Sequence, residues 1–308
     1  MSTQLEQVAL EQLAAAIEEA LPDLAGSLRP LTLLGEGYTA VAVESVGGIV
    51  FRVPRTEAAA GAAAIEKRLL AAVGSDLPAA VPDHTWLGGP SEACPWGFAG
   101  YRKVPGITLD ITGLDGAAAE RLAQRVATFL VALHGTAIET ATAAGVPGDW
   151  HQRYEQLFEA SLPPLRAALR PDELSMIEAW WLAFFDAPAN WDFQPTLVHG
   201  DVRPEHLLTD NRGSLTGVID FGDACIGDPA IDIGGLLAYV DALFAEHVQA
   251  AYERLRGVSD GDVMRRARLL AASTPFFTVA AATAGPGPAM PSLDEAIAEL
   301  RAGAILRG

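Results

Sequence analysis

His199, Asp201, His206 and Asp220 are the residues whose types and spacing could do chemistry together. They lie in LVHGDVRPEHLLTDNRGSLTGVIDFGDACIGDPAIDI, residues 197–233, with His206 five positions after Asp201 and Asp220 nineteen positions after it. Leu207-Leu208 and Val218-Ile219 flank the polar run Asp210-Asn211-Arg212-Gly213-Ser214, which predicts a hairpin of two short buried strands. That hairpin brings Asp201 and Asp220 to the same end of one ribbon. Phosphoryl transfer from a nucleotide needs such an arrangement, because one carboxylate orients the accepting hydroxyl while another holds the cation that neutralises the phosphates. Taken singly, Asp201 could cap a turn and Asp220 to Gly222 could end a strand; order and spacing favour the chemistry.

The positioning elements precede and follow this stretch. Thr3 and Glu6 predict a capping box for a helix carrying Leu10, Leu13, Ile17 and Leu21 until Pro22. Strands follow at 31–34, 38–46 and 49–53, the last two joined at Gly47-Gly48. Gly35, Gly37, Tyr38 and Thr39 fall in the first turn, where glycines let backbone N–H groups approach a phosphate. Arg52, on the third strand, can contact phosphate through two parallel hydrogen bonds. Thr56 predicts the cap of a helix with Ile65, Leu69, Leu70 and Val73 on its apolar side, and Glu66 in it is either Arg52's partner or a solvated charge. Two more strands, 85–87 and 96–104, lead to Pro105-Gly106, a natural boundary. Beyond it the chain reads as helices at 117–134, 150–169 with a kink near Pro163-Pro164, and 171–186 with Trp180, Trp181, Phe184 and Phe185 in the core. Helices at 231–255, 262–272 and 293–306 follow the hairpin, with a loop at 285–288; His134 reads as a helix end rather than a ligand.

These motifs resemble the protein-kinase-like superfamily. His199-x-Asp201 followed by His206 stands where its HxDxxxxN loop stands, and Asp220-Phe221-Gly222 is its Asp-Phe-Gly signature. The chain is more similar still to antibiotic phosphotransferases, with their HGDxxPxxLL loop and an Asp-Pro-x-x-Asp element at Asp228 to Asp232. The run at 51–55 and Val81-Pro82-Asp83 resemble both aminoglycoside 2″-phosphotransferases and macrolide phosphotransferases, which also carry histidine at the position of His206. The hinge at 101–106 and Asp220 to Asp223 favour the aminoglycoside side.

The resemblance implies an α+β, two-lobed kinase-like fold: an antiparallel-sheet lobe at 1–104 that binds nucleotide, and a mainly helical lobe at 105–308 with the catalytic loop and acceptor site. It implies magnesium, ATP or GTP as phosphate donor, Asp201 as the catalytic carboxylate, and Asp220 with His206 on the metal. Gly35, Gly37, Tyr38, Thr39, Arg52, Glu66, Tyr101, Lys103, Leu208 and Ile219 would meet the nucleotide, with backbone groups near Tyr101 to Lys103 on the purine edge. The acceptor would be a small cationic molecule, an aminoglycoside antibiotic, met by Asp223, Asp241 and Glu246, with resistance as the biological role. A macrolide or small-metabolite kinase is the neighbouring reading. Arg52 and His206 replace the usual lysine and asparagine and the third glycine is missing, which keeps a nucleotide-binding pseudokinase in play. A metal-dependent hydrolase using His199, Asp201, His206 and Asp220 as ligands is the rival from another class.

Composition narrows the partners. The 308 residues are half hydrophobic and carry a formal charge of −18, which argues against a nucleic-acid backbone. Cys94 and Cys225 match neither a zinc pattern nor a disulfide framework, which fits a reducing compartment such as the cytoplasm. No apolar run reaches membrane-spanning length, and the N-terminus lacks the pattern of a signal peptide.

Overall fold

A computed structural model describes residues 2–37, 39–257, 259–283 and 292–307. Tyr38, the side chains of Thr3 and Glu6, and the loop at 285–288 lie outside the described residues. Helix α1 (Ser2–Ala20) sets Leu13, Ala14 and Ile17 against one face of a sheet, where they share a core with Leu31, Val43 and Phe51. That sheet is antiparallel, built from β1 (Leu31–Glu36), β2 (Ala40–Ser45), β3 (Ile49–Pro54), β4 (Trp86–Gly88) and β5 (Phe98–Arg102) in the order β1-β2-β3-β5-β4. Between β3 and β4 runs α2 (Glu57–Val73), started by the Thr56 hydroxyl, which accepts the Ala59 N–H at 3.2 Å. Gly35 belongs to β1 rather than to the turn, because a register shift between Leu33 and Gly35 extends the strand to Glu36.

The remainder is mostly helical. In chain order it comprises β6 (Ile107–Thr108), α3 (Gly116–His134), α4 (Ile138–Ala144), α5 (Trp150–Ala168), α6 (Pro171–Asp186), β7 (Thr196–Val198), β8 (Leu207–Thr209), β9 (Leu215–Val218) and β10 (Cys225–Gly227). Then come α7 (Ala230–Tyr239), α8 (Ala242–Arg256), α9 (Val263–Thr283), α10 (Leu293–Ala302) and α11 (Ala304–Arg307). The expected hairpin is β8 with β9, Leu207 opposite Val218, and its turn is closed by the Asp210 carboxylate, which accepts the N–H groups of Arg212 and Ser214 at 2.8 Å each. Trp181 and Phe184 are buried as expected. Ala80 stitches the two parts: its N–H meets Thr216 O at 3.0 Å and its carbonyl takes the Val218 N–H at 2.9 Å.

Three helical expectations change. The helix read at 231–255 breaks after Tyr239, because Asp241 turns its side chain onto the Phe244 N–H and caps a new helix. The helix read at 262–272 continues to Thr283 through Pro275. Proline leaves the Ala271 carbonyl without its helical partner, and the Thr274 hydroxyl donates to that carbonyl at 2.9 Å instead. The last helix divides at Gly303.

A buried ion pair anchors α7 to α9. The Asp228 carboxylate, fully buried, accepts Arg266 Nε at 2.6 Å and Nη2 at 3.1 Å, and also takes the Ala230 N–H at 2.9 Å. Arg266 is itself only 2% exposed. Replacing Asp228 with alanine leaves the buried Arg266 guanidinium with Asp260, at 2.6 Å and half-exposed, as its remaining carboxylate, and should lower unfolding free energy by at most about 3–5 kcal/mol, the cost of breaking a buried pair. Urea unfolding of the variant beside the parent measures it.

Candidate active site

The turn at His199 to Asp201, the candidate catalytic turn, is held by one carboxylate. Asp232, at the start of α7, accepts the His199 and Gly200 N–H groups at 2.9 Å each and meets His134 Nε2 at 2.9 Å. Burial alone would raise its carboxyl, but the His134 hydrogen bond, the neighbouring imidazoles and the backbone donors hold it below the ordinary value. A carboxylate only accepts, so His134 donates from Nε2 and its Nδ1 meets the Tyr252 hydroxyl at 2.8 Å. His134 is thus a structural strut, as its helix-end position implied. Gly200 has φ +82°, and a β-carbon there would come within 2.2 Å of the Asp223 carbonyl. Only glycine lets the two acidic turns approach this closely.

His199 is not a metal ligand. Its Nε2 donates to the Ile219 carbonyl at 3.1 Å and its Nδ1 takes the Asp201 N–H at 3.3 Å, so both ring nitrogens serve the backbone. This removes one of the four ligands of the hydrolase reading, and among the described residues no group of three or more metal-binding side chains is assembled.

His206 stands differently. Its Nδ1 donates to the Asp201 carbonyl at 2.8 Å, which in the neutral ring leaves Nε2 as a bare acceptor 3.6 Å from Asp220 Oδ2. Two acceptors facing each other across that gap fit a cation between them. A carboxylate, an imidazole, nucleotide phosphates and water together make a sufficient set for magnesium, which rarely relies on protein ligands alone.

Asp220 is the one non-glycine with positive φ among the described residues, at +66°. Burial would raise its carboxyl; Arg52 and His206 hold it below the ordinary value. Arg52 Nη2 bonds Asp220 at 2.8 Å while its Nη1 bonds Glu66 at 3.1 Å. Glu66 is 1% exposed and its other oxygen accepts the Phe221 N–H at 3.3 Å, which settles it as Arg52's partner rather than a solvated charge. One guanidinium therefore ties β3 and α2 to the Asp-Phe-Gly turn. Asp201 lies beyond His206, its Oδ2 3.4 Å from Nδ1 and its Oδ1 accepting Arg203 Nε at 2.9 Å. Burial pushes the Asp201 carboxyl up, against the opposing pull of His206 and Arg203.

Where the nucleotide is expected, Val50, Tyr101, Val104 and Leu208 form a small apolar cluster with Ile219 against it. Lys103 does not face it: its N–H is taken by the Gly48 carbonyl at 2.9 Å and its ammonium by Glu44 at 2.6 Å. Tyr101 pairs with Val50 and the Lys103 N–H reaches Gly48, so Arg102, the alternate residue between them, turns its backbone groups away from β3, within the stretch 101–103 expected near the purine edge. Arg55, which entered the sequence reading only as the last residue of the run at 51–55, fastens the glycine turn: Nε meets Gly37 O at 3.1 Å, its N–H meets Thr39 O at 2.8 Å, and Nη2 meets Glu36 at 3.2 Å.

On the other side of Asp201 opens a cavity of about 700 Å³ lined in part by Gly37, Thr39, Asp223, Arg153 and Arg203. Of the three acceptor carboxylates expected, Asp223 is there, bonded to Arg153 at 2.7 Å. Asp241 is spent capping α8, and Glu246 lies on an exposed helix face beside Arg268 at 3.4 Å; neither lines the cavity. Arg153 and Arg203 carried no motif that could have singled them out.

The same architecture recurs in solved structures. The GDP and kanamycin complex of APH(2″)-IIia is 29% identical, with TM-score 0.82 over 94% of this chain and 97% of that one. The GDP complex of aminoglycoside 2′-phosphotransferase-IIIa is 28% identical, with TM-score 0.81 over 95% and 97%. Macrolide 2′-phosphotransferase MphH from Brachybacterium faecium, 24% identical, shares the fold with TM-score 0.68 over 93% and 97%. An uncharacterised protein of Bacillus subtilis (strain 168), YcbJ, is 27% identical over 188 residues, 59% of this chain and 60% of that one. The profile of the APH phosphotransferase enzyme family matches residues 30–270, most of the chain, and the protein belongs to that family.

Proposed function

We propose that the protein moves the γ-phosphate of ATP or GTP, as a magnesium complex, to a hydroxyl of a small molecule, with residues 1–104 as nucleotide lobe and 105–308 as acceptor lobe. The observation that carries this is the chain Asp201–His206–Asp220, with its gaps of 3.4 and 3.6 Å, set between an apolar nucleotide slot and an open cavity. The acceptor hydroxyl hydrogen-bonds to Asp201, its oxygen forms the new bond to phosphorus, the β–γ bridging P–O bond breaks, the nucleoside diphosphate leaves, and the hydroxyl proton passes to Asp201. Magnesium, held by Asp220 and His206, would supply neutralising charge to the phosphates. Arg52 keeps its permanent charge and its Glu66 partner despite replacing lysine, which weighs against a pseudokinase.

GDP in two relatives' complexes supports a purine nucleotide donor. Kanamycin in one of them supports an aminoglycoside acceptor, with antibiotic resistance as the role; the guanidinium on Asp223 weighs against it. Cys94 and Cys225 are both buried and free, which is consistent with the cytoplasm as the compartment.

Asp201→Asn keeps size and one acceptor oxygen and should lower acceptor-dependent kcat by roughly 10²- to 10⁴-fold, the range for a positioned general base. Its nucleotide Kd should stay near that of the parent; a collapse of both together would reassign Asp201 to the nucleotide. Asp220→Ala should abolish turnover in a coupled nucleotide-consumption assay across aminoglycosides, macrolides and simple amino-alcohols. His206→Asn, by contrast, should retain magnesium-dependent turnover, since an amide oxygen can replace the imidazole nitrogen.

A further inference from the structure

The cavity beside Asp201 has three lining carboxylates, and each already has a guanidinium: Glu36 with Arg55 at 3.2 Å, Asp201 with Arg203 at 2.9 Å, Asp223 with Arg153 at 2.7 Å. The chain as a whole carries −18, so this local balance is not a reflection of composition. Segment 284–291, which follows the cavity-lining end of α9, contains no charged residue that could alter it. The rest of the wall is largely aromatic and aliphatic, with Trp150, Tyr154, Ile231, Tyr239, Leu270 and Phe277. A polyamine entering here would find no carboxylate without a guanidinium already on one of its oxygens and would meet two guanidiniums on the wall.

Arg203 adds direction. Its Nε is bonded to Asp201, its guanidinium lies over the Tyr239 ring at 4.3 Å, and among the described residues its two terminal amino groups have no hydrogen-bond acceptor. Stacking fixes the plane of the fork. Two free donors are thereby presented at the cavity wall, on the same side chain that touches the carboxylate assigned to the reacting hydroxyl.

Resting on the phosphotransferase reading above, we infer that the acceptor is an alcohol with a broad apolar body and at most one positive charge, which places a carbonyl or carboxylate oxygen on Arg203 beside the reacting hydroxyl. The aromatic wall takes the body, the guanidinium fork takes the oxygen, and Asp201 takes the hydroxyl proton as the phosphoryl group arrives. Arg203 is on this account a specificity residue, and the cavity discriminates against polycations by offering them only carboxylates that already carry a guanidinium.

The test is calorimetric binding to the full chain with magnesium and a non-hydrolysable GTP analogue, using three probes: kanamycin as polycation, erythromycin as a singly charged carbonyl-bearing alcohol, and cholate as a hydroxy carboxylate. Erythromycin or cholate should bind at least about tenfold more tightly than kanamycin, and whichever leads tells carbonyl from carboxylate. Arg203→Met should weaken that probe by about tenfold, a charged hydrogen bond's worth, and Arg203→Lys should restore part of the loss; retained nucleotide binding serves as the folding control. Tighter binding of kanamycin, or an affinity indifferent to Arg203→Met, overturns the inference. Phosphoryl transfer to the bound probe is read separately: Arg203-dependent binding without any transfer would leave the pocket chemistry standing and remove the proposed reaction instead.

Discussion

Asp232 is an anion at 0% exposure whose two oxygens are shared among the His199 N–H, the Gly200 N–H and His134 Nε2. An isolated carboxylate in that position would be strongly disfavoured, and the donors that make it tolerable are the backbone of the catalytic turn itself. The turn cannot move without orphaning the charge. Gly200 is therefore fixed against Asp223, Asp201 is fixed as the next residue, and His206 is fixed to the Asp201 carbonyl. A similar arrangement organises the opposite wall, where buried Glu66 is satisfied by Arg52 and by the Phe221 N–H. The site is a set of carboxylates spaced by the cations and amides that each of them requires.

Much of this was legible in the sequence because it depends on short-range spacing. The hairpin between Leu207 and Val218 follows from alternation around a polar turn, and the meeting of Asp201, His206 and Asp220 follows from the hairpin. Arg52 and Glu66 lie one strand and one helix apart, so their pairing could be anticipated though not decided. What escaped was set by tertiary packing. Asp241 has the composition of a surface charge in a long helix, and nothing local signals that the chain breaks there and uses it as a cap. Lys103 lies in the stretch expected near the purine edge, whereas strand pairing, which depends on where Gly48 sits, sends its N–H to Gly48 and its ammonium meets Glu44. Arg153 and Arg203 reach the cavity from α5 and the catalytic loop, elements with no sequence relation to each other.

Overall charge is a poor guide to the cavity beside Asp201. A chain at −18 invites an acidic pocket, yet the cavity carboxylates are matched one for one by arginines. Screening limits what distant charges contribute, since at physiological salt the Debye length is about 8 Å and surface carboxylates beyond it hardly register. The groups within contact distance decide what can bind, and those lining the cavity come to neutrality only with Arg55, which pairs with Glu36 from outside the wall.

The left-handed backbone at Asp220 has a mechanical side. Such a conformation costs of order 1–3 kcal/mol for a residue with a β-carbon and persists only where the surroundings over-determine it. Here the next residue does the holding: Phe221 is 1% exposed, with its ring 4.5 Å from the ring of His199 and 6.4 Å from that of Phe129. The turn behaves as a sprung latch whose catch is a buried aromatic. Emptying that socket would let the Asp220 carboxylate swing away with every catalytic side chain still present, so inactivating lesions in this protein need not lie among residues that touch nucleotide or acceptor.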